Sequence, residues 1–470
     1  MTPHASPLRV AIVGSGPSGY YAVEALLQSG RDVEVDVYDR IPVPFGLVRY
    51  GVAPDHQKLK EVTRVFTRFA LDPRVGFFGN VTVGRDVSVA ELGRLYDAVV
   101  IASGAGVDRA MNVPGEDLAG SHAAVDFVGW YNGHPDYRDR CFDLSGEHAV
   151  IVGQGNVAID VCRILAKTAD ELRKTDIAEH ALTTLARSRL KTITIVGRRG
   201  PAQMKFTTKE LRELGTLPGW DVTLDPADLA LDGTSAAEMA APQSATAAKN
   251  IEVLRGFAAK PRSNPREIRF CFFAAPHRLE GEGRVESFVV ERTRLSGPAF
   301  QQRAEGTGTY RAIAADVVFR SIGYAGLPMP GLPFDGRAKI VPNVAGRVRD
   351  ADGAVVPRLY VTGWIKRGPT GIIGTNRVDS IETVASLLAD DLPRQEGAGG
   401  RERASALLRE RGVRATSFAH WQAIDRVELE RGQAKGKVRD KVIDRDEFLS
   451  IASGASGEAE TPVAAGVGTT

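Results

Sequence analysis

A glycine-rich turn near the start of the chain constrains its fold more strongly than any other feature. The apolar run at residues 10–13 leads into the turn GSGPSG at residues 14–19, a helical segment follows, and a second apolar run ends at Asp39. This order of strand, turn, helix and strand is typical of a dinucleotide-binding βαβ unit. The sequence therefore predicts an α/β fold with a parallel sheet at the start of the chain.

Each glycine of this turn has its own predicted role. Gly14 permits the tight turn, Gly16 lets a pyrophosphate approach the backbone, and Gly19 lets the helix pack closely on the strand. The pyrophosphate would lie over the unpaired N–H groups of the helix N-terminus, beside Pro17. Asp39 is placed to accept hydrogen bonds from a ribose diol. A glycine turn used only for close packing is the alternative.

A second turn of this kind lies in the middle of the chain. The apolar run 149–152 leads into GQGNVA at residues 153–158, in which alanine replaces the third glycine. The next predicted strand, residues 192–196, ends in Arg198 and Arg199 instead of an acid. A guanidinium binds a 2′-phosphate through two parallel hydrogen bonds, whereas a carboxylate would repel it. We therefore predict NADP as the second nucleotide; a solvated surface pair is the alternative.

Chain length, net charge and cysteine content argue against several classes of protein. A chain of 470 residues is long enough for two or three domains, and a formal charge of +2 gives no global attraction to nucleic acid. Cys141, Cys162 and Cys271 form no C-x-x-C pair, which argues against a zinc site or a redox dithiol and favours buried packing in a reducing compartment. We expect neither a signal peptide nor a membrane span.

The remaining segments indicate secondary structure but little chemistry. Residues 96–104, 316–323 and 358–363 are short apolar runs that end in small residues, as ligand-binding strand ends do. Residues 224–249 read as a surface excursion without chemistry and residues 268–294 as a β-hairpin. We expect a helix or two between 404 and 452 and disorder over 453–470.

Two long loops complete the pattern. Residues 43–56 read VPFGLVRYGVAPDH, and residues 363–376 read GWIKRGPTGIIGTN. Together with both turns and the GRRG run at 197–200, they closely resemble the adrenodoxin-reductase-like ferredoxin–NADP reductases, including the bacterial members. The resemblance covers nearly the whole chain except its extreme tail. Asp39 stands where many members carry glutamate.

The resemblance implies two Rossmann-like domains with parallel central sheets. The NADP-binding domain, about 108–324, would be inserted into a discontinuous FAD-binding domain of 1–107 and 325–470. The implied FAD contacts are Ser18, Asp39, Leu47, Val83, Trp364 and the amides of Gly371, Ile372 and Ile373. The implied NADP contacts are Gln154, Gly155, Asn156, Val157, Arg198, Arg199, Glu210 and Gly371.

The implied reaction is hydride transfer from NADPH to FAD, followed by two one-electron steps to a ferredoxin-type iron–sulfur protein. His56 and Glu213 are candidates for influencing proton movement. The alternatives are a loop-anchoring histidine for His56 and a solvated helix residue for Glu213. An acidic ferredoxin would dock on a basic face. The candidate docking residues are Lys205, Lys209, Arg212, Lys366 and Arg367.

Other acceptors remain open at this point. The same two nucleotides would serve a flavin monooxygenase, an electron-input subunit of a larger reductase, or a redox-sensing module without turnover. A flavin-dependent dithiol oxidoreductase is disfavoured because the cysteine pair is missing. We predict a cytoplasmic monomer that binds no nucleic acid and inserts into no membrane.

Overall fold

The computed structural model describes residues 7–395 and 397–458. Strands and helices alternate over most of this length. The strands are β1 Leu8–Val13, β2 Val33–Tyr38, β3 Val75–Phe78, β4 Ala98–Ile101, β5 Val107–Asp108, β6 Ser121–Ala123, β7 His148–Val152, β8 Thr192–Val196, β9 Trp220–Leu224, β10 Arg266–Cys271, β11 Ala274–Glu280, β12 Ser287–Ser296, β13 Arg303–Ala314, β14 Val317–Arg320, β15 Tyr324–Ala325, β16 Asn343–Val344, β17 Arg347–Arg349 and β18 Val355–Val361.

The helices differ widely in length. They are α1 Pro17–Leu27, α2 Leu47–Tyr50, α3 Gln57–Lys60, α4 Val62–Ala70, α5 Val89–Leu95, α6 Ala124–Tyr131, α7 Asn156–Ala166, α8 Ala169–Arg173, α9 Glu179–Leu185, α10 Thr208–Leu214, α11 Gly233–Ala240, α12 Ala245–Ala258, α13 Trp364–Arg367, α14 Thr375–Ala389, α15 Gly400–Glu410, α16 Phe418–Ala434 and α17 Arg445–Glu458. Within the described ranges, none of them is both long and apolar enough to span a membrane.

The chain divides by its internal contacts into two units. Unit 1 comprises the described residues of 1–52, 56–107 and 324–470, and unit 2 comprises 53–55 and 108–323. The chain therefore leaves unit 1 after residue 107 and returns to it at residue 324. The short segment 53–55 belongs to unit 2 although the residues on either side of it belong to unit 1.

Unit 1 is built on a seven-stranded sheet in the order β16-β17-β18-β4-β1-β2-β3. The strands from β18 to β3 run parallel, and β16 and β17 are antiparallel additions at one edge. Residues 10–13 of strand β1 form a continuous, buried apolar run because both faces of a parallel sheet are covered. The chain proceeds from β1 to β2 and β3 on one side and then returns to β4 on the other side of β1. This reversal creates a ligand-binding switch point at the carboxyl end of β1.

Unit 2 repeats this plan with a six-stranded, fully parallel sheet in the order β6-β14-β7-β8-β10-β9. Strand β7 enters the second glycine turn, and its neighbours β8 and β14 lie on either side. A separate antiparallel sheet, β11-β12-β13, follows β10 in the chain and contains the predicted hairpin. The predicted α/β fold class, with parallel sheets in two Rossmann-like halves, is confirmed.

Several local predictions need correction. Residues 81–83 are strand-like in sequence but form no strand, and Val83 makes only an isolated bridge with Val87. The segment 224–249 is not merely a surface excursion, because it carries α11 and buries Glu238. Residues 453–458 continue α17, whereas 459–470 lie outside the described residues. Cys141 is exposed, so the packing prediction fits only Cys162 and Cys271.

A buried ion cluster anchors the C-terminal helices of unit 1. Glu428 on α16 is fully buried and accepts hydrogen bonds from both terminal nitrogens of Arg49, from Arg439 and from the backbone N–H of Val442. Burial acts to raise the pKa of Glu428, yet Arg49 and then Arg439 hold that pKa below its usual value. The Arg49 guanidinium also stacks 5.1 Å from the ring of Trp421. This cluster fixes the conformation of the loop that contains Arg49.

We expect Glu428→Gln to lower the free energy of unfolding by about 3–5 kcal/mol, because Arg49 would be left buried without a counter-charge. Asp425→Asn is the matched control. Asp425 pairs with the same Arg439 at 2.6 Å but is one-third exposed, so its loss should cost less than about 1 kcal/mol. Urea denaturation followed by tryptophan fluorescence measures both. Equal losses would contradict a special role for the buried pair.

Candidate functional site

The first glycine turn of unit 1 is shaped by close backbone contacts. Gly14 has φ of +118°, and a Cβ atom there would lie 2.3 Å from the carbonyl oxygen of Ala102. A Cβ atom at Gly19 would lie 2.0 Å from the carbonyl oxygen of Gly14. At Gly16, in contrast, a Cβ atom would meet nothing within 4 Å. The turn therefore has no room for side chains on its inner side but opens onto space at Gly16, as a pyrophosphate site requires.

Helix α1 starts at this turn without a side-chain cap. Gly16 is its N-cap residue and Pro17 its first residue, and no acidic side chain lies in the first turn. The first N–H groups of an α-helix have no intrahelical partner and carry the positive end of the helix dipole. The start of α1 is therefore suited to a phosphate anion.

Asp39 follows β2 at the carboxyl edge of the sheet. Its Oδ2 accepts hydrogen bonds from the Ser15 hydroxyl at 2.5 Å and the Ser15 N–H at 3.1 Å, while Oδ1 accepts from the Ile41 N–H at 2.9 Å. An ionised carboxylate has about four acceptor positions. The carboxylate thus ties the glycine turn to β2 and keeps capacity on Oδ1 for a ribose hydroxyl.

The other predicted residues of this first site lie on different elements. Ser18 on α1 is buried and donates to the Oδ1 atom of Asn376 at 3.2 Å, which joins α1 to the start of α14. Leu47 is the first residue of α2, and Val83 is buried in a hydrophobic core cluster of unit 1. Asn376 was missed as a site residue, because only the fold brings its amide to Ser18.

The loop after β18 surrounds Trp364, the first residue of α13. The Trp364 ring stacks on Tyr324 with centroids 5.6 Å apart, and its indole N–H donates to the carbonyl of Thr370 at 3.2 Å. The indole is therefore held in a fixed orientation at the end of a central strand. Such an orientation suits a residue that lines a flat ring.

The glycine-rich part of this loop leaves donors available. Among the residues that the structure describes, the N–H groups of Gly371 and Ile373 reach no protein acceptor, whereas the N–H of Ile372 donates to the Thr375 hydroxyl at 3.2 Å. Gly371 and Ile372 are exposed. Two of the three predicted amides are thus free to bind a ligand.

One predicted docking residue is wrong. Lys366 is buried, and its ammonium group contacts Asp379 at 2.7 Å, the carboxylate of Glu382 and the hydroxyl of Thr383 at 3.2 Å. Its charge is neutralised inside unit 1 and is not presented to a partner. Arg367 is half-buried and is also bound within the loop, to Thr370.

The second glycine turn, in unit 2, reproduces the first. Gly153 has φ of +144°, and a Cβ atom there would lie 2.1 Å from the carbonyl oxygen of Ser321, whereas Gly155 faces open space. Ala158 takes the position of the third glycine and is fully buried. Helix α7 begins at Asn156 after an N-cap glycine and has no side-chain cap. The start of α7, whose first turn contains Val157, is therefore suited to a second pyrophosphate.

The arginine pair after β8 is the distinguishing feature of this second site. Arg198 is exposed and Arg199 is half-buried, and within the described residues neither guanidinium makes a hydrogen bond or ion pair. Burial and then the charge of Arg198 lower the pKa of Arg199 from its usual value, whereas Glu238 acts in the opposite sense. Arginine is seldom buried without a partner. Arg199 is only half-buried and Arg198 is exposed, so the pair is accessible to an anion from outside the protein, such as the predicted 2′-phosphate.

The neighbouring polar side chains brace this site. Gln154 donates from its amide to the carbonyl of Arg199 at 3.3 Å, and the Oδ1 atom of Asn156 accepts from the N–H of Thr207 at 3.0 Å. Glu210 is buried and forms a capping box with Thr207 at the start of α10. This local role accounts for Glu210 by itself, so its predicted nucleotide contact stays a prediction.

The two candidate proton-handling residues lie in different units and are described separately. In unit 1, His56 is half-buried and precedes α3. In unit 2, Glu213 lies 3.9 Å from Arg163 and 3.8 Å from Lys209. Its carboxylate is thus placed between two cations. Its role in proton movement stays a prediction, as does that of His56.

Arg163 is the centre of a buried ion cluster in unit 2. Its Nε lies 2.6 Å from Asp55, and its Nη2 lies 2.7 Å from Asp160 one turn away on α7. Burial acts to raise the pKa of Asp55, but Arg163 and then Lys167 hold that pKa far below its usual value. The cluster explains why segment 53–55 belongs to unit 2.

Comparison with known proteins gives a consistent result. The family model for pyridine nucleotide-disulphide oxidoreductases matches residues 8–199. The chain is 47 % identical to the NADPH-ferredoxin reductase FprA of Mycobacterium leprae over 95 % of this chain and 98 % of that protein. It is 44 % identical to the mitochondrial NADPH:adrenodoxin oxidoreductase of Bos taurus over 94 % of this chain and 92 % of that protein.

Solved structures agree. The complex of Mycobacterium tuberculosis FprA with NADPH gives a TM-score of 0.89 at 45 % sequence identity, covering 95 % of this chain and 100 % of that chain.

Substitutions at two glycines of the second turn should affect nucleotide binding and folding separately. We expect Gly155→Val to fold normally, because its side chain enters open space. It should lose NADPH affinity by about tenfold or more, because that space is the predicted pyrophosphate site. Gly153→Ala should instead lower the melting temperature, because its Cβ would collide with the carbonyl of Ser321. Calorimetry and NADPH titration measure the two effects. A Gly155→Val variant that binds NADPH normally would refute the site.

Proposed function

The chain belongs to the family of NADPH-ferredoxin and NADPH:adrenodoxin reductases, and we propose that it is an FAD-dependent oxidoreductase that transfers electrons from NADPH to a ferredoxin-type iron–sulfur protein. One observation carries the assignment: the two glycine turns have matching geometry, but the strand after the turn is followed by an acid in unit 1 and by an arginine pair in unit 2. Among the described residues, neither arginine side chain of that pair has a partner. One chain thus offers two dinucleotide sites of different selectivity.

FAD fits the site of unit 1. The open space at Gly16 and the uncapped start of α1 would hold its pyrophosphate, and Asp39 would accept from its ribose. The oriented Trp364 ring and the N–H groups of Gly371 and Ile373 would hold the flavin ring. When bound, the flavin converts hydride transfer, which moves two electrons together, into single-electron transfer.

NADPH fits the site of unit 2. The start of α7 and the space at Gly155 would hold its pyrophosphate, and Arg198 and Arg199 would bind its 2′-phosphate. Gln154 donates to the carbonyl of Arg199 and so holds the arginine turn, residues 197–200, in place. The role of this chain is thus to bind and orient the nucleotide, with His56 and Glu213 proposed to influence proton movement.

The partner would be an acidic iron–sulfur protein that meets a basic face. Of the predicted docking residues, Lys205, Lys209 and Arg212 are exposed, which supports their inclusion; Lys366 is excluded by its burial. We further propose that the protein is a cytoplasmic monomer. The exposed free thiol of Cys141 favours the cytoplasm, because cytosolic thiols stay reduced.

The first test measures cytochrome c reduction by the purified enzyme with NADPH, with and without added ferredoxin, and again with NADH. We expect a large ferredoxin-dependent rate that favours NADPH. If NADPH reduces the flavin but ferredoxin adds nothing, the acceptor assignment is wrong, and oxygen, quinones or a partner subunit would be tested next.

Nucleotide selectivity provides a second test. We expect Arg199→Gln to weaken NADPH binding about 10- to 100-fold and to leave NADH binding unchanged, because one charge-assisted contact contributes about 1.5–3 kcal/mol. Lys191→Gln is a charge-matched control, since Lys191 precedes the same strand but is exposed and paired with Glu147. Equal losses for NADPH and NADH would contradict the 2′-phosphate assignment.

A further inference from the structure

The backbone of the arginine turn in unit 2 is held from outside the parallel sheet. The carbonyl of Arg198 accepts a hydrogen bond from the Thr293 hydroxyl at 2.7 Å. The carbonyl of Arg199 accepts from the Phe273 N–H at 3.2 Å, in addition to the amide of Gln154. Thr293 lies on β12 in the antiparallel sheet, and Phe273 lies in the connection that leads into that sheet. The nucleotide fingerprint includes neither residue.

Thr293 directly follows an irregularity of the antiparallel sheet. Glu291 pairs with Tyr310 and Thr293 with Gly306, so the register of β12 and β13 shifts between these pairs. Such a bulge redirects side chains and often lies beside a functional site. Thr293 is 5 % exposed, and a buried hydroxyl needs a hydrogen-bond partner. Its partner is the Arg198 carbonyl.

Phe273 completes the support in a strained backbone conformation. Its φ of +51° is unusual for a residue other than glycine, and such strain persists only where the surroundings impose it. Its carbonyl accepts from the Thr293 N–H at 2.8 Å. On the ring side, Arg292 lies 5.1 Å from the ring centroid and is itself bound to Asp228 at 2.8 Å.

The ring of Phe273 also reaches the end of the turn. A Cβ atom at Gly200 would lie 2.4 Å from that ring, so the glycine after the arginine pair packs directly beneath it. Thr293, Phe273 and Gly200 thus fix the peptide planes on both sides of Arg199.

We propose that Thr293 is a positioning residue for Arg198 and Arg199, and that through it the antiparallel sheet sets the preference for a nucleotide with a 2′-phosphate. The inference rests on the proposed function, because it assumes that the arginine pair binds this phosphate. A guanidinium binds phosphate through a planar fork and therefore depends on direction. Because neither guanidinium has a protein partner among the described residues, the backbone of the turn is what directs both side chains.

The test compares 2′,5′-ADP with 5′-ADP, which lacks the 2′-phosphate, by calorimetric titration of the FAD-loaded enzyme. Thr293→Val replaces the hydroxyl by a methyl group of similar shape. We expect 2′,5′-ADP to bind about three- to tenfold more weakly and 5′-ADP to bind as in the wild type. Thr293→Ser keeps the hydroxyl and should restore 2′,5′-ADP binding.

Thr194→Val is the matched control. Thr194 is as deeply buried and lies on β8, which ends at the arginine pair, so the same substitution there should change neither affinity. Thr293→Ala removes the hydroxyl without placing a second methyl group in the buried site and serves as a second test variant. It should show the same selective loss.

A double-substitution experiment separates this inference from the proposed function. In an Arg198→Gln, Arg199→Gln background, Thr293→Val should cause no further loss of 2′,5′-ADP binding. If the arginine substitutions weaken 2′,5′-ADP but Thr293→Val does not, or if Thr293→Val weakens both ligands equally, the positioning role is refuted. If the arginine substitutions themselves have no effect, the 2′-phosphate assignment fails and the positioning role fails with it.

Discussion

Both nucleotide turns depend on one steric constraint, the contact between the first glycine of the turn and a backbone carbonyl from a neighbouring strand connection. Gly14 meets the carbonyl of Ala102 just after β4, and Gly153 meets that of Ser321 just after β14. These contacts require β4 to lie beside β1 and β14 beside β7, as the two sheet orders show. The constraint therefore links a local motif to the order of strands, and with it to the placement of the loops that follow β4 and β14.

Features that depend on residues close in sequence were predictable. Strand β8 was predicted at its observed bounds, and the arginine pair that follows it needed only the strand–turn–helix pattern to be interpreted. Glu428 could not be predicted as a partner, because 379 residues separate it from Arg49. Lys366 shows the same limit for a residue that was predicted at a docking surface and is buried instead. Sequence gives the sign of a charge, but only the fold places carboxylates beside Lys366 and removes it from the surface.

The segment rich in Ala, Ser and Thr shows a different limit. Small residues give little hydrophobic periodicity, so residues 224–249 read as an excursion. In the fold, Glu238 on α11 is buried and accepts from the amide of Gln203 at 3.0 Å and from the backbone N–H of Phe300. The burial of this segment depends on polar partners from distant parts of unit 2. Patterns of apolar residues carry no information about such partners.

Both units contain the same kind of glycine turn, but the charged residues that follow the next strand have opposite signs. In unit 1, Asp39 already accepts three hydrogen bonds from the protein, so its carboxylate has protein partners before any ribose binds. In unit 2, Arg199 is half-buried and meets no acceptor among the described residues, and its burial disfavours the charged form. Thr293, Phe273 and Gln154 bind backbone carbonyls of the arginine turn and do not bind the guanidinium of Arg199. The unfavourable burial of this charge therefore persists. A phosphate that supplies the missing charge then gains from a site whose orientation the protein has already fixed.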